Sequence, residues 1–106
     1  MRHLTIVRKK KFVACGMKVY VYLETRVDED IVLDDIPCKK IDFLKNGKSI
    51  TFDIPKQAIN VFVVYDKFFP TKYNCKFLIP EGTEDVILFT TPRYGLLNGN
   101  PFELYR

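Results

Sequence analysis

Tryptophan is absent from this chain, and histidine and serine occur once each, as His3 and Ser49. With so few of these side chains, no nucleophile–base–orienter set can be assembled from the sequence, and no enzyme activity is expected. Long apolar runs are also missing. None approaches the roughly 18 residues that a membrane-spanning helix needs, so no membrane association is expected. Phe12-Val13-Ala14 lies between the basic run Arg8-Lys9-Lys10-Lys11 and Cys15, like the cleavage region of a lipoprotein. It falls far short of the roughly 7–15 apolar residues of a signal-peptide core. The cysteines Cys15, Cys38 and Cys75 are odd in number, widely spaced and without a Cys-x-x-Cys pair. Neither a disulfide framework nor a zinc site fits that pattern. Reduced thiols in a cytoplasmic protein do.

Two further absences concern ligands. Asp28, Glu29, Asp30, Asp34 and Asp35 form an acidic stretch, but without the Asp-x-Asp-x-Asp-Gly order or distal glutamate of a calcium loop. It reads as a solvated acidic segment, and no metal or cofactor is expected. The charge is also uneven. Arg2, Arg8, Lys9, Lys10, Lys11 and Lys18 precede every acid, and Glu24 to Asp35 then carries six acids with only Arg26 among them. A dipolar surface of this kind can favour head-to-tail self-association or steer a charged partner, but the preferred reading is two solvated loops of opposite sign.

What is present is β-strand patterning. The chain of 106 residues is 47% apolar and 28% charged, which excludes global disorder and fits one globular domain over 1–106. Phe, Tyr, Val and Ile are abundant, and period-two alternation recurs almost throughout. Strands are predicted at Leu4–Val7, Lys18–Leu23, Ile59–Tyr65, Cys75–Ile79 and Val86–Thr90, with Ile31-Val32-Leu33 as a short edge strand. In Lys18–Leu23, Val19, Val21 and Leu23 share one face, with Tyr20 and Tyr22 on the other. Ile59–Tyr65 is apolar on both faces, as expected of a central strand covered twice or touching a partner.

Turn signals divide these segments. Asn46-Gly47 suits a type I′ hairpin that pairs Phe43 with Ile50 and Ile41 with Phe52, all on one face. Asn98-Gly99, with a G1 bulge, would pair Leu96 with Phe102 and Tyr94 with Leu104. Pro80-Glu81-Gly82 fits a type I turn. Together these features predict an all-β fold, an antiparallel Ig-like β-sandwich of about seven to nine short strands. A five-stranded OB-like barrel is the alternative.

The order Val19-Tyr20-Val21-Tyr22-Leu23, Leu44-Lys45-Asn46-Gly47-Lys48, Phe52-Asp53-Ile54-Pro55 and Val61-Phe62-Val63 resembles small bacterial β-sandwich modules of the PEGA-like kind. The likeness covers the middle half of the chain. Lys56-Gln57-Ala58 replaces the glycine usual there, and the acidic stretch before Cys38 is extra. The resemblance implies a non-catalytic accessory or interaction module and transfers no functional residues.

Two surfaces are candidates for binding. Tyr20, Tyr22, Phe62 and Val64 would form an apolar reverse face for a protein partner or a second copy, as in a homodimer. Alternatively, Lys9, Lys10, Lys11, Lys67, Phe68, Lys72 and Tyr73 interleave cations and rings as a single-stranded nucleic-acid platform on an OB-like barrel would. The neighbouring acids blunt that field, and aromatics at a loop–strand junction also plug cores, so the protein-binding reading is preferred.

Overall fold

Alternation in the first strand sets the frame. The computed structural model describes residues 1–10, 18–64, 74–92 and 102–106. In it β1 (Arg2–Arg8) turns Arg2, Leu4, Ile6 and Arg8 inward, and all are buried. The other described strands are β2 (Val19–Glu24), β3 (Ile31–Leu33), β4 (Ile36–Leu44), β5 (Ser49–Ile54), β6 (Ile59–Val64), β7 (Asn74–Ile79), β8 (Val86–Pro92) and β9 (Phe102–Tyr105). One sheet has the order β5-β1-β8-β9 and the other β3-β4-β2-β6-β7. Every pairing is antiparallel except that of β1 with β8. This is the expected all-β sandwich, with nine strands among the described residues, rather than a five-stranded barrel. No helix among them is long and apolar enough to cross a membrane.

The main core lies between the sheets. Leu4, Ile6, Ile54, Val86 and Leu88 from the four-stranded sheet meet Val19, Val21, Leu44, Val61 and Ile79 from the other. Period-two patterning accounts for these faces. Val19 and Val21 point inward and Tyr20 and Tyr22 outward, as the alternation predicts. Ile31–Leu33 forms the expected short edge strand.

The Asn46-Gly47 hairpin does not form. Its two strands belong to different sheets: Phe43 pairs with Tyr20, while Ile50 pairs with Ile6 and Phe52 with Leu4. Only Gly47 has a positive φ (77°), and the Lys48 amide donates to the Lys45 carbonyl at 3.1 Å. One left-handed residue at the third turn position matches a type II turn, which splays its flanking strands. The chain therefore crosses from sheet to sheet. A two-residue hairpin with both central residues left-handed does occur, but at Asp34-Asp35 (φ 50° and 63°), where Leu33 pairs with Ile36. Aspartate tolerates this conformation because its short carboxylate can hydrogen-bond locally.

A β-bulge explains why Ile41 and Phe43 do not share a face. Val21 pairs with Asp42 but Tyr22 with Lys40, leaving Ile41 as the extra residue. Ile41 then packs with Leu44 against the inner core, while Phe43 is exposed on the outside. Beyond the bulge the parity is reversed, so Cys38 and Ile36 also face outward.

Of the two other turn expectations, one is corrected and one falls outside the described residues. Phe102 and Leu104 pair with Pro92 and Thr90; the Asn98-Gly99 turn, with Leu96 and Tyr94, lies outside the described residues. The Gly82 amide donates to the Lys56 carbonyl at 2.9 Å rather than closing a type I turn on Ile79. Pro80–Gly82 is part of another inter-sheet crossing.

Both inward-facing arginines of β1 hold such crossings. Arg2 Nε donates to Pro55 O at 3.0 Å, and Nη2 to Gln57 O at 3.2 Å and Pro80 O at 2.7 Å. At the other end Arg8 Nη1 donates to Leu44 O at 2.7 Å, and its backbone amide to Lys48 O at 2.9 Å. Residues that cross between sheets have left both ladders, so their carbonyls need other donors. The rigid fork of a guanidinium can serve several at once.

Two stability predictions follow from these contacts. Arg2→Met should lower the unfolding free energy in urea by about 1–3 kcal/mol, because it removes a charged donor from three part-buried carbonyls. Arg2→Lys should recover only part of this, since an ammonium cannot reproduce the fork. Gly47→Ala should cost about 1–2 kcal/mol for its left-handed conformation, with an added Cβ standing 3.3 Å from Lys10 Cβ.

Candidate functional site

Because β2 and β6 are apolar on both faces, the five-stranded sheet carries a second cluster on its reverse side. Tyr22, Phe62 and Val64 assemble there with Leu33 and Cys38, and Tyr20, Ile31 and Ile36 pack around them. The structure thus brings together all four residues expected to form a partner surface, but buries most of that surface within the chain. Phe62 and Val64 are fully buried and Tyr22 is 8% exposed. The accessible margin is Tyr20 with Phe43, whose rings stand 6.4 Å apart and tilted by 54°. Lys18 Nζ lies 4.9 Å from the Phe43 centroid and Lys40 Nζ 5.3 Å from that of Tyr20. Sequence reading missed Phe43 and the two lysines because the bulge that turns Phe43 outward is invisible in the alternation.

The residues of the nucleic-acid reading are less connected. Lys9 Nζ lies 5.1 Å from the Phe89 ring and 5.6 Å from Tyr105, on the outer face of the four-stranded sheet. The aliphatic part of Lys10 lies against Gly47. Lys11, Lys67, Phe68, Lys72 and Tyr73 fall outside the described residues. Arg8, which the sequence groups with these lysines, belongs to the core.

The acidic stretch is largely engaged in local structure. Asp30 Oδ2 accepts the Lys40 amide at 2.9 Å, and Glu24 Oε1 accepts both the backbone and side-chain amides of Asn60. Asp28, Asp34 and Asp35 occupy left-handed turn positions. Among the described residues no group of three His, Cys, Asp or Glu side chains is placed to hold a metal. His3 pairs with Asp53 at 2.7 Å, with both side chains more than half exposed; such a pair contributes little stability.

At the Arg2 end of the sandwich the β7–β8 crossing borders a cleft of about 360 Å³. Arg2 and Gly82 line it together with Glu81, Thr83, Glu84 and Arg106. Sequence reading treated Arg2 only as surface charge. The available signal was its parity with Leu4 and Ile6, the inward-facing residues of β1.

No family model, curated protein or solved structure matches the chain.

Cys38 illustrates how the second cluster shapes chemistry. Burial pushes its thiol up from 9.0 to about 11, opposed by a backbone hydrogen bond from Leu33 and reinforced by Glu24, Asp34 and Glu29. Its Sγ donates to Ile36 O at 3.3 Å. Burial, then Asp30 and Tyr20, also raise the pKa of Tyr22. Both groups are held neutral in the fold, whereas the unfolded chain ionises them at lower pH. Their contribution is therefore complete below the unfolded pKa and lost as pH rises through the folded one. For Cys38 that window runs from pH 9.0 to about 11. The urea midpoint should fall across it, and Cys38→Val should reduce the slope without abolishing it, because Tyr22 still contributes.

Proposed function

We propose that the chain is a non-catalytic binding and assembly module of the bacterial cytoplasm, pairing as a two-fold homodimer through the reverse face of its five-stranded sheet. The observation that carries this reading is the order of charge along that face. Lys18 and Lys40 stack on Phe43 and Tyr20 towards one end. The Asp34-Asp35 turn lies towards the other, beside Ile36, with Asp30 between the two ends, its carboxylate on the Lys40 amide. A two-fold axis lying across the strands reverses their direction, so the basic end of each copy meets the acidic end of the other twice. Exposed aromatic and lysine methylene surface would be covered between these charged ends. The PEGA-like resemblance, which implies an accessory module, points in the same direction, as does the buried free thiol of Cys38 for a reducing compartment.

Sedimentation velocity on the full chain tests this. A dimer should dominate at low salt and dissociate as the Debye length shrinks to about 8 Å at physiological ionic strength. Lys18→Glu combined with Lys40→Glu should yield monomer without lowering the melting temperature appreciably. A monomer at every concentration in low salt, or a dimer indifferent to this charge reversal, would overturn the assignment.

A further inference from the structure

Arg2 has a hydrogen-bonding capacity that the fold does not use up. It is 3% exposed, and its Nε and Nη2 are engaged by three carbonyls. None of those partners carries a negative charge. Among the described residues no carboxylate stands within ion-pair distance of this guanidinium, and its Nη1 has no protein acceptor. A cation removed from water without a counter-charge is costly, and hydrogen bonds to neutral carbonyls compensate only part of that cost. Nη1 lies beside Gly82, where a Cβ would stand 3.4 Å away. Both residues line the 360 Å³ cleft, which lies within the size range of small-ligand sites. The missing side chain at Gly82 leaves the approach to Nη1 open.

We propose that this cleft binds a small amino-carboxylate, with its carboxylate on Arg2 Nη1 and its ammonium facing Glu81 and Glu84. The cleft's mixed charge selects this class. Arg2 and Arg106 supply positive charge, while Glu81 and Glu84 line the same space. Two carboxylates repel a multiply charged phosphate, and a bare carboxylate on Arg2 leaves them with Arg106 as their one cation in the cleft. A zwitterion matches both, and Thr83 adds a hydroxyl that can donate or accept.

The test uses the full chain labelled with ¹⁵N, titrated with glycine, acetate, methylammonium and inorganic phosphate at fixed pH and ionic strength. Glycine should shift the amide signals of Gly82, Thr83 and Glu84 saturably, with an affinity about tenfold above that of acetate or methylammonium. Replacing both acids, Glu81→Gln with Glu84→Gln, should reduce glycine to the acetate level. Gly82→Leu should abolish the response. Gly82 has no left-handed φ, so this variant should keep the native spectrum elsewhere. Absence of a saturable glycine response, an unchanged response in Gly82→Leu, or tighter binding of phosphate or methylammonium than of glycine would overturn the proposal.

Discussion

The two sheets of this sandwich depend on a strand with arginine at each end of its inward row. Arg2 and Arg8 are buried in β1 beside Leu4 and Ile6, and each reaches past the apolar core to carbonyls at its rim. Four connections pass between the sheets: β1–β2, β4–β5, β5–β6 and β7–β8. The two arginines engage the last three. Pro55, Gln57 and Pro80 belong to neither ladder, Leu44 ends its own, and the two prolines have no amide proton. Hydrophobic packing brings the sheets together without direction. The charged forks give the ends of the sandwich their geometry, because hydrogen bonds to charged donors are strong and angle-dependent.

Local patterning made most of the strands legible in the sequence, and the limit of that legibility is physical. Alternation identified the two faces of β2 and β6 because each residue's face follows from its immediate neighbours. It could not identify which strand lies alongside. The segments around Asn46-Gly47 have the composition of a hairpin, yet each satisfies its apolar face against a different sheet. Turn chemistry was equally permissive, since a glycine able to adopt positive φ serves a type II crossing as well as a type I′ hairpin. Asp34-Asp35, the observed tight hairpin, has the weaker turn signature. The bulge at Ile41 inverts parity within β4 and leaves no trace in the residue pattern.

The same limits governed the functional residues. Tyr20, Tyr22, Phe62 and Val64 share one face, as alternation predicts, because that depends only on parity. Their burial depends on Leu33 and Cys38, which join the face through a hairpin and a bulge. Burial is a property of the assembled sheet. Similarly, Arg2 and Arg8 look like surface charge when counted by type, but like core when counted by parity with Leu4 and Ile6.

The parallel pairing of β1 with β8 has a consequence for how the molecule is made. Leu4 lies beside Val86 and Arg8 beside Thr90, so the central pair of the four-stranded sheet joins two distant parts of the chain. The five-stranded sheet, whose strands β2 to β4 and β6 to β7 are near neighbours in sequence, can be completed first. On a translating ribosome, β1 emerges early and must wait unpaired on its β8 side until most of the chain has followed. Such long-range pairing is slow because loop closure precedes the contacts that offset it. Through that interval the two arginines keep the waiting strand charged, and charge of that kind discourages an exposed strand from pairing with a neighbouring chain.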